Sequence, residues 1–177
     1  MMLLKLERAF NRVSDLFGKI AAVLFVLLLC NVFYDVLSRY VLNDVSIAMQ
    51  EMEWHLFALM FLLGVPFTLR ADAHVRVDIL YDRLSVGTRA WIDLTGTLCL
   101  LLPFCLLVGW YGVGFAHEAY LLGETSGDPG GLAYRWLIKA AIPFAFFATA
   151  LSGLGLALKS VNTLRGQSVA DIQGDRP

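Results

Sequence analysis

Apolar residues in this chain are gathered into four long runs, and short charged or turn-forming segments separate the runs. A helix needs about 20 mostly apolar residues to cross the hydrocarbon core of a bilayer. The pattern therefore predicts an all-α membrane protein with four transmembrane helices, at about 19–41, 47–70, 90–117 and 135–158. We expect residues 1–165 to form a single membrane domain and residues 166–177 to be a disordered cytoplasmic tail.

Two shorter segments carry apolar residues on one helical face only. In the N-terminal segment, Leu3, Leu6, Phe10, Val13 and Phe17 recur at steps of three and four. This amphipathic segment either lies in the cytoplasmic interface, which we prefer, or extends the first spanning helix. Between helices two and three, the charged stretch 71–88 also has one apolar face, which predicts a short interfacial helix.

The overall composition leaves little room for a soluble domain. The 177 residues are 58% hydrophobic and 16% charged, whereas soluble domains are about 25% charged. A net charge of −1 provides no field that would attract nucleic acid. The cysteines, Cys30, Cys99 and Cys105, all lie inside apolar runs without a C-x-x-C spacing, so we expect buried hydrophobic side chains.

The distribution of Lys and Arg predicts the orientation of the helices, because cytoplasmic segments of membrane proteins are enriched in both residues. Of the 14 Lys and Arg residues, all but Arg39, Arg135 and Lys139 fall in the N-terminal segment, the second link or the C-terminal region. Both termini are therefore expected in the cytoplasm, with the first and third links outside.

Ionisable residues at the end of helix one and the start of helix two form the first candidate site. Asp35 and Arg39 are four residues apart and share a helical face, while Glu51 and Glu53 fall in the first two turns of helix two. We expect these four side chains to form a network between the two helices. The network either fixes helix packing, which we prefer, or couples directly to a substrate or ion.

Helix four carries a stripe of small residues, one every four positions: Ala141, Ala145, Thr149, Gly153 and Ala157. Small side chains allow close approach of a second helix, which is how helices associate in lipid. The partner helix belongs either to this chain, which we prefer, or to another subunit.

The third link, 118–134, is rich in glycine and contains three carboxylates, Glu118, Glu124 and Asp128. A carboxylate-rich rim can steer a basic partner towards its docking site. The alternative is a solvated loop that only connects helices three and four.

Other functional classes have weaker support. The sequence contains no nucleophile–base pattern, phosphate loop or zinc spacing, so we expect neither enzymatic activity nor a cofactor. His55 and His117 both fall near the outer surface and leave a haem-binding membrane anchor of an oxidoreductase as the alternative. A further alternative is an independent small channel or exporter, although the chain is short for a complete transporter.

Several motifs in fixed order resemble one membrane-protein family. They are Arg39-Tyr40 closing helix one, the acidic pair Glu51 and Glu53, Gly64 within helix two, and a His-x-x-x-Asp element formed by His74 and Asp78. Together with four helices and cytoplasmic termini, they are similar to the small (DctQ-like) membrane subunit of tripartite ATP-independent periplasmic (TRAP) transporters. The run 129–136 resembles the branch associated with 2-oxo acids, mannitol or chloroaromatic compounds.

The resemblance implies a non-enzymatic transport component of the bacterial inner membrane. A periplasmic binding protein would capture an organic acid, and a large multi-spanning subunit would carry it across, driven by a sodium gradient. The small subunit would brace the large one and help to dock the binding protein. Its partners would be these two proteins and membrane lipid.

Overall fold

The computed structural model of the chain describes residues 2–71 and 83–167, and it is helical in both stretches. The helices are α1 (Met2–Leu37) with a π turn (Ser38–Leu42), α2 (Ile47–Arg70), α3 (Val86–Gly96) with a π turn (Thr97–Leu101), α4 (Leu102–Leu121) and α5 (Trp136–Leu164). Within the described residues, four helical spans are long and apolar enough to cross a membrane. The four-helix prediction is therefore confirmed at this level, while the predicted interfacial helix and tail fall largely in 72–82 and 168–177, outside the described residues.

Helix α2 has the predicted bounds, whereas α1 begins earlier, α5 ends later, and the span formed by α3 and α4 extends at both ends beyond the bounds that hydropathy indicates. Ser46 caps α2, with its hydroxyl accepting from the Met49 amide at 3.4 Å. Ser85 caps α3 in the same way, accepting from the Thr88 amide at 3.2 Å. Backbone hydrogen bonding continues past the apolar run until a cap or a turn ends it, so these helices extend into polar sequence.

The amphipathic N-terminal segment is the first half of α1, since the helix is continuous over its 36 residues. At 1.5 Å per residue it is about 54 Å long, which exceeds a hydrocarbon core of about 30 Å. The segment thus continues the first spanning helix without a break, which favours the extension over the separate interfacial helix preferred from the sequence. Phe10 of this segment packs on α5, with its Cβ 3.1 Å from the position a Cβ would take on Gly155, whereas Leu6 on the same face is exposed.

Polar pairs hold α1 against its neighbours at the end of the bundle where α1 begins and α5 ends, which we call the terminal end. Ser14 and Ser152 share a hydrogen bond of 2.6 Å. Asn162 Nδ2 donates to Glu7 Oε2 at 2.6 Å, and both side chains are buried. Arg70 pairs with the half-buried Asp15 at 2.7 Å and so connects α2 to α1.

Helix α5 is the centre of the fold. It packs against α1, α2, α3 and α4, and half of its most apolar segment is buried, against 11–17% in the other three spans. Helices α1 and α2 also pack on each other, while α4 packs mainly on α5. An apolar cavity of about 120 Å³ between α2 and α4 is lined by Val65, Cys105 and Ala145, among others.

Small residues explain why α5 can occupy the centre. All five residues of the predicted stripe are buried: Ala141, Ala145, Thr149, Gly153 and Ala157. A Cβ on Gly153 would lie 3.0 Å from Leu101 Cδ2, and one on Gly112 of α4 would lie 3.1 Å from Pro143 Cδ. The stripe thus faces helices of this same chain.

Candidate functional site

The loop 122–135, which joins α4 to α5, has a defined fold of its own. The Ser126 amide donates to the Leu132 carbonyl at 3.0 Å, and the Gly131 amide donates to the Asp128 carbonyl at 3.0 Å. The backbone is left-handed at Gly123, Gly130 and Tyr134, with φ of 59°, 83° and 60°. Together with the link 43–46, this loop forms one end of the bundle, which we call the loop end.

Glu51 ties the loop to the start of α2. Its carboxylate accepts a hydrogen bond from the Leu132 amide at 2.6 Å and another from the Ser126 hydroxyl. Glu51 lies in the second turn of α2 and is 7% exposed. A carboxylate near the start of a helix is also favoured by the unpaired amides there. The charge is therefore held by donors of the loop, and the loop is held in place on α2.

Gly131 leaves the space that this attachment requires. A Cβ at position 131 would lie 2.5 Å from Ser126 Cβ and 2.9 Å from Glu51 Oε2. Any other residue would push the loop away from the Glu51 carboxylate. At position 131 a glycine is needed because the backbone passes close to Ser126 and Glu51. At position 130 a glycine is favoured because the backbone φ is positive.

Glu124 is engaged within the loop end itself. It forms an ion pair with Lys139 and lies 3.9 Å from Arg135 Nε. Lys139 Nζ also lies 4.2 Å from the centre of the Phe115 ring. Glu118 and Asp128 are exposed and form no side-chain hydrogen bond or ion pair with any described residue. The three predicted docking carboxylates are therefore not equivalent.

The predicted network of four ionisable residues is divided in the structure. Asp35 is 3% exposed and pairs with Arg39 on the same helix, one turn away. Glu51 bonds the loop instead of Arg39, and Glu53 is half-buried without a side-chain partner among the described residues. The connection between α1 and α2 at this level is made by Asn31, whose Nδ2 donates to the Met49 carbonyl at 3.0 Å.

Sequence reasoning missed the loop partners of Glu51 for two reasons. The Leu132 donor is a backbone amide, which every residue other than proline carries, so no residue type marks it. For Ser126 and Gly131 the sequence does predict a turn-rich loop. Nothing in the loop sequence indicates, however, that the loop contacts α2.

The remaining predicted residues lie apart from this site. Tyr40 is in the π turn after α1 and is 79% exposed. A Cβ on Gly64 would lie 4.0 Å from Ala21 Cβ, so α1 and α2 approach closely there. His74 and Asp78 lie outside the described residues.

The two histidines that motivated the haem alternative are in different settings. His55 Nδ1 donates to the Glu51 carbonyl of its own helix, while His117 is exposed on α4. Among the described residues, no three or more His, Cys, Asp or Glu side chains form a group that could hold a metal ion. The chemistry of the loop end is hydrogen bonding and ion pairing that position a surface.

Two comparisons with known proteins bear on this arrangement. Residues 28–163 match the profile of the family described as tripartite ATP-independent periplasmic transporters, DctQ component. The match runs from within α1 almost to the end of α5. The chain is also similar to the ectoine TRAP transporter small permease protein TeaB of Halomonas elongata, with 25% identity over 154 residues, which is 85% of this chain and 77% of that protein.

Proposed function

Because the chain belongs to the DctQ family of small TRAP permease subunits, we propose that it braces the large transport subunit and receives the binding protein at its loop end. The observation that carries this proposal is the family match over residues 28–163, which spans the bundle and the loop together. The chain itself is a transporter subunit, and the transport path belongs to its partner. The buried polar groups of the described residues serve helix packing and loop attachment.

The bracing role is supported by the shape of the bundle. Helix α5 packs against four other helices, α1 to α4, partly through close small-residue contacts, which favours one rigid arrangement. Co-expression with the large subunit tests the role. The large subunit should lose thermal stability when purified without this chain and regain it in the complex. A large subunit of equal stability and activity alone would contradict bracing.

The orientation that we propose places the loop end in the periplasm and both termini in the cytoplasm of a bacterial inner membrane. The Lys and Arg bias supports it. Cysteines placed at Gly87 and Thr125, both exposed, test it in a background without Cys30, Cys99 and Cys105. A membrane-impermeant maleimide added to intact cells should label position 125 only. Labelling of both positions, or of position 87 alone, would reverse or refute this topology.

The substrate and the driving ion follow from the partners, and we propose an organic acid moved by a sodium gradient. The run 129–136 supports the branch that transports 2-oxo acids, mannitol or chloroaromatic compounds. The relative from Halomonas elongata is named for ectoine. Ectoine is therefore the substrate against which uptake of organic acids should be compared. Uptake into proteoliposomes should require a sodium gradient and favour organic acids over ectoine. Uptake driven equally well by a proton gradient alone would contradict sodium coupling.

Docking of the binding protein is the role that we propose for the carboxylates of the loop end. Glu118 and Asp128 are available to a basic partner, whereas Glu124 supports the loop through Lys139. Asp128→Lys should raise the binding-protein concentration that gives half-maximal uptake, and more so at low salt, because long-range attraction is screened by ions. Glu124→Lys should instead destabilise the loop. An unchanged half-maximal concentration in Asp128→Lys at low salt would remove electrostatic steering from the proposal.

The haem-anchor alternative predicts a Soret band in the purified protein. The family match disfavours it, and an absorption spectrum of the purified complex without such a band would eliminate it.

A further inference from the structure

Three aromatic rings surround a cavity of about 360 Å³ at the loop end, which we call the aromatic cup. Its rings are those of Tyr120 at the end of α4, Tyr134 in the loop and Trp136 at the start of α5. Tyr120 and Trp136 meet edge to face, with ring centres 5.4 Å apart. Tyr120 is 59% and Tyr134 68% exposed, so the rings line an open surface.

The loop fold holds Tyr134 in an unfavourable conformation. Its φ of 60° is left-handed, which is uncommon for a bulky residue and costs about 1–2 kcal/mol. Hydrogen bonds hold both sides of it: the Leu137 amide donates to the Tyr134 carbonyl at 3.0 Å, and the Arg135 amide donates to the Glu124 carbonyl at 3.1 Å. A large apolar ring is thus held towards solvent at a cost in backbone energy, a combination that is typical of functional sites.

The charges around the cup favour a cationic occupant. The faces of aromatic rings carry negative potential and attract ammonium and guanidinium groups. Two cations lie close in sequence to the cup, Arg135 between Tyr134 and Trp136 and Lys139 one turn further along α5, and both face Glu124. Glu118 and Asp128 of the same link are exposed and unpaired among the described residues. The cup therefore belongs to a link, 118–134, whose exposed and unpaired charges are both negative.

The position of the cup favours a protein partner over lipid. Four residues that line it, Gly123, Thr125, Ala133 and Tyr134, lie in the loop beyond the end of α4 and before the start of α5. Aromatic residues that serve as membrane anchors lie at the helix ends, at the level of the lipid headgroups. Of the three rings, those of Tyr120 and Trp136 lie at helix ends, whereas Tyr134 and the other lining residues lie in the loop.

We propose that the aromatic cup of Tyr120, Tyr134 and Trp136 receives a lysine or arginine side chain of the periplasmic binding protein. This inference rests on the proposed function, because it assumes that the loop end is where the binding protein docks. Cation–π contact would orient the bound side chain, and the exposed carboxylates of the same link, Glu118 and Asp128, would attract it. The cup would set the lifetime of the docked complex, and the carboxylates would set the rate of its formation.

The test uses the complete transporter in proteoliposomes, with uptake measured over a range of binding-protein concentrations. Tyr134→Gly removes the ring and also relieves the strain of the positive φ, so the loop should stay folded. Tyr120→Leu removes a second ring within a helix. Each should raise the half-maximal binding-protein concentration about tenfold and leave the maximal rate unchanged. Trp54→Ala is the matched control, since Trp54 is an exposed aromatic residue at the start of α2, outside the cup.

The outcomes separate this inference from the function on which it rests. Suppose that the wild type docks the binding protein and that Tyr134→Gly and Tyr120→Leu both reach half-maximal uptake at the wild-type binding-protein concentration. The aromatic cup is then not a docking site, while the proposed function is unaffected. Absence of any concentration dependence in the wild type would defeat the proposed function itself. A loss of thermal stability of both variants in phosphatidylethanolamine vesicles but not in phosphatidylglycerol vesicles, with normal docking, would make the cup a lipid headgroup site and overturn the proposal.

Discussion

The two ends of the bundle use buried carboxylates for different tasks. At the terminal end, Glu7 is 4% exposed and accepts from the Asn162 side chain, so one helix is joined to another. At the loop end, Glu51 is 7% exposed and accepts from the Leu132 amide and the Ser126 hydroxyl, so a loop is joined to a helix. The first arrangement makes the bundle rigid, whereas the second fixes the shape of a surface. The proposed bracing and docking roles follow this division.

The largest effect is expected for Glu51→Ala, because two donors of the loop lose their acceptor at once. The loop should detach while the four helices stay packed. Limited proteolysis in detergent micelles should cut within 122–135 roughly tenfold faster or more, because local opening governs cleavage. Glu53→Ala is the matched control, since Glu53 has no side-chain partner among the described residues. Equal protection of the loop in Glu51→Ala would mean that the loop folds without this carboxylate.

At the terminal end, Asn162→Ala should lower the stability of the whole bundle and leave the loop protected. It leaves the buried Glu7 carboxylate without its donor, at a cost of about 2–3 kcal/mol. Thermal unfolding of the isolated subunit measures the loss, and Lys159→Ala on the exposed face of α5 is the control. Faster proteolysis of the loop in Asn162→Ala would show that the two ends are coupled. The separation of their tasks would then be wrong.

The core between the two ends is tested by Gly153→Leu. A Cβ at this position would lie 3.0 Å from Leu101 Cδ2, so a leucine overfills the contact between α5 and the π turn before α4. Overpacking of this kind costs about 1–3 kcal/mol. Gly114→Leu is the control, because a Cβ on Gly114 meets open space. Normal stability of Gly153→Leu alone, with lost association to the large subunit, would make the stripe a partner interface instead.

The smallest effect is expected for Arg39→Ala. Asp35 is buried, but Arg39 is 42% exposed, so water can take its place beside the carboxylate and its loss should cost about 1–2 kcal/mol, between the values for exposed and buried pairs. A double-mutant cycle with Glu51→Ala should give a coupling energy below about 0.5 kcal/mol, because the two sites share no partner. A larger coupling energy would show that Arg39 and Glu51 interact, as the single network predicted from the sequence requires.

The sequence alone determined the number and the approximate position of the four spans. Hydropathy is a property of consecutive residues, and the bilayer provides a fixed length against which each run is measured. The start of α2 was also determined locally, because Ser46 is a hydroxyl residue just before an apolar run. The order of several motifs, from Arg39-Tyr40 through Glu51, Glu53 and Gly64 to His74 and Asp78, together with the four spans, indicated the family that the profile match over residues 28–163 then showed.

Only the tertiary structure decided which helix is central and what the charged residues contact. The spanning helices are apolar on most faces, so their sequences carry little information about which side meets protein and which meets lipid. The partner of Glu51 is a backbone amide 81 residues away, and backbone amides are the same in every residue except proline. The left-handed conformation of Tyr134 also depends on the folded loop, where the Leu137 amide donates to the Tyr134 carbonyl and the Arg135 amide donates to the Glu124 carbonyl, because a bulky residue adopts it only where surrounding contacts outweigh its intrinsic preference.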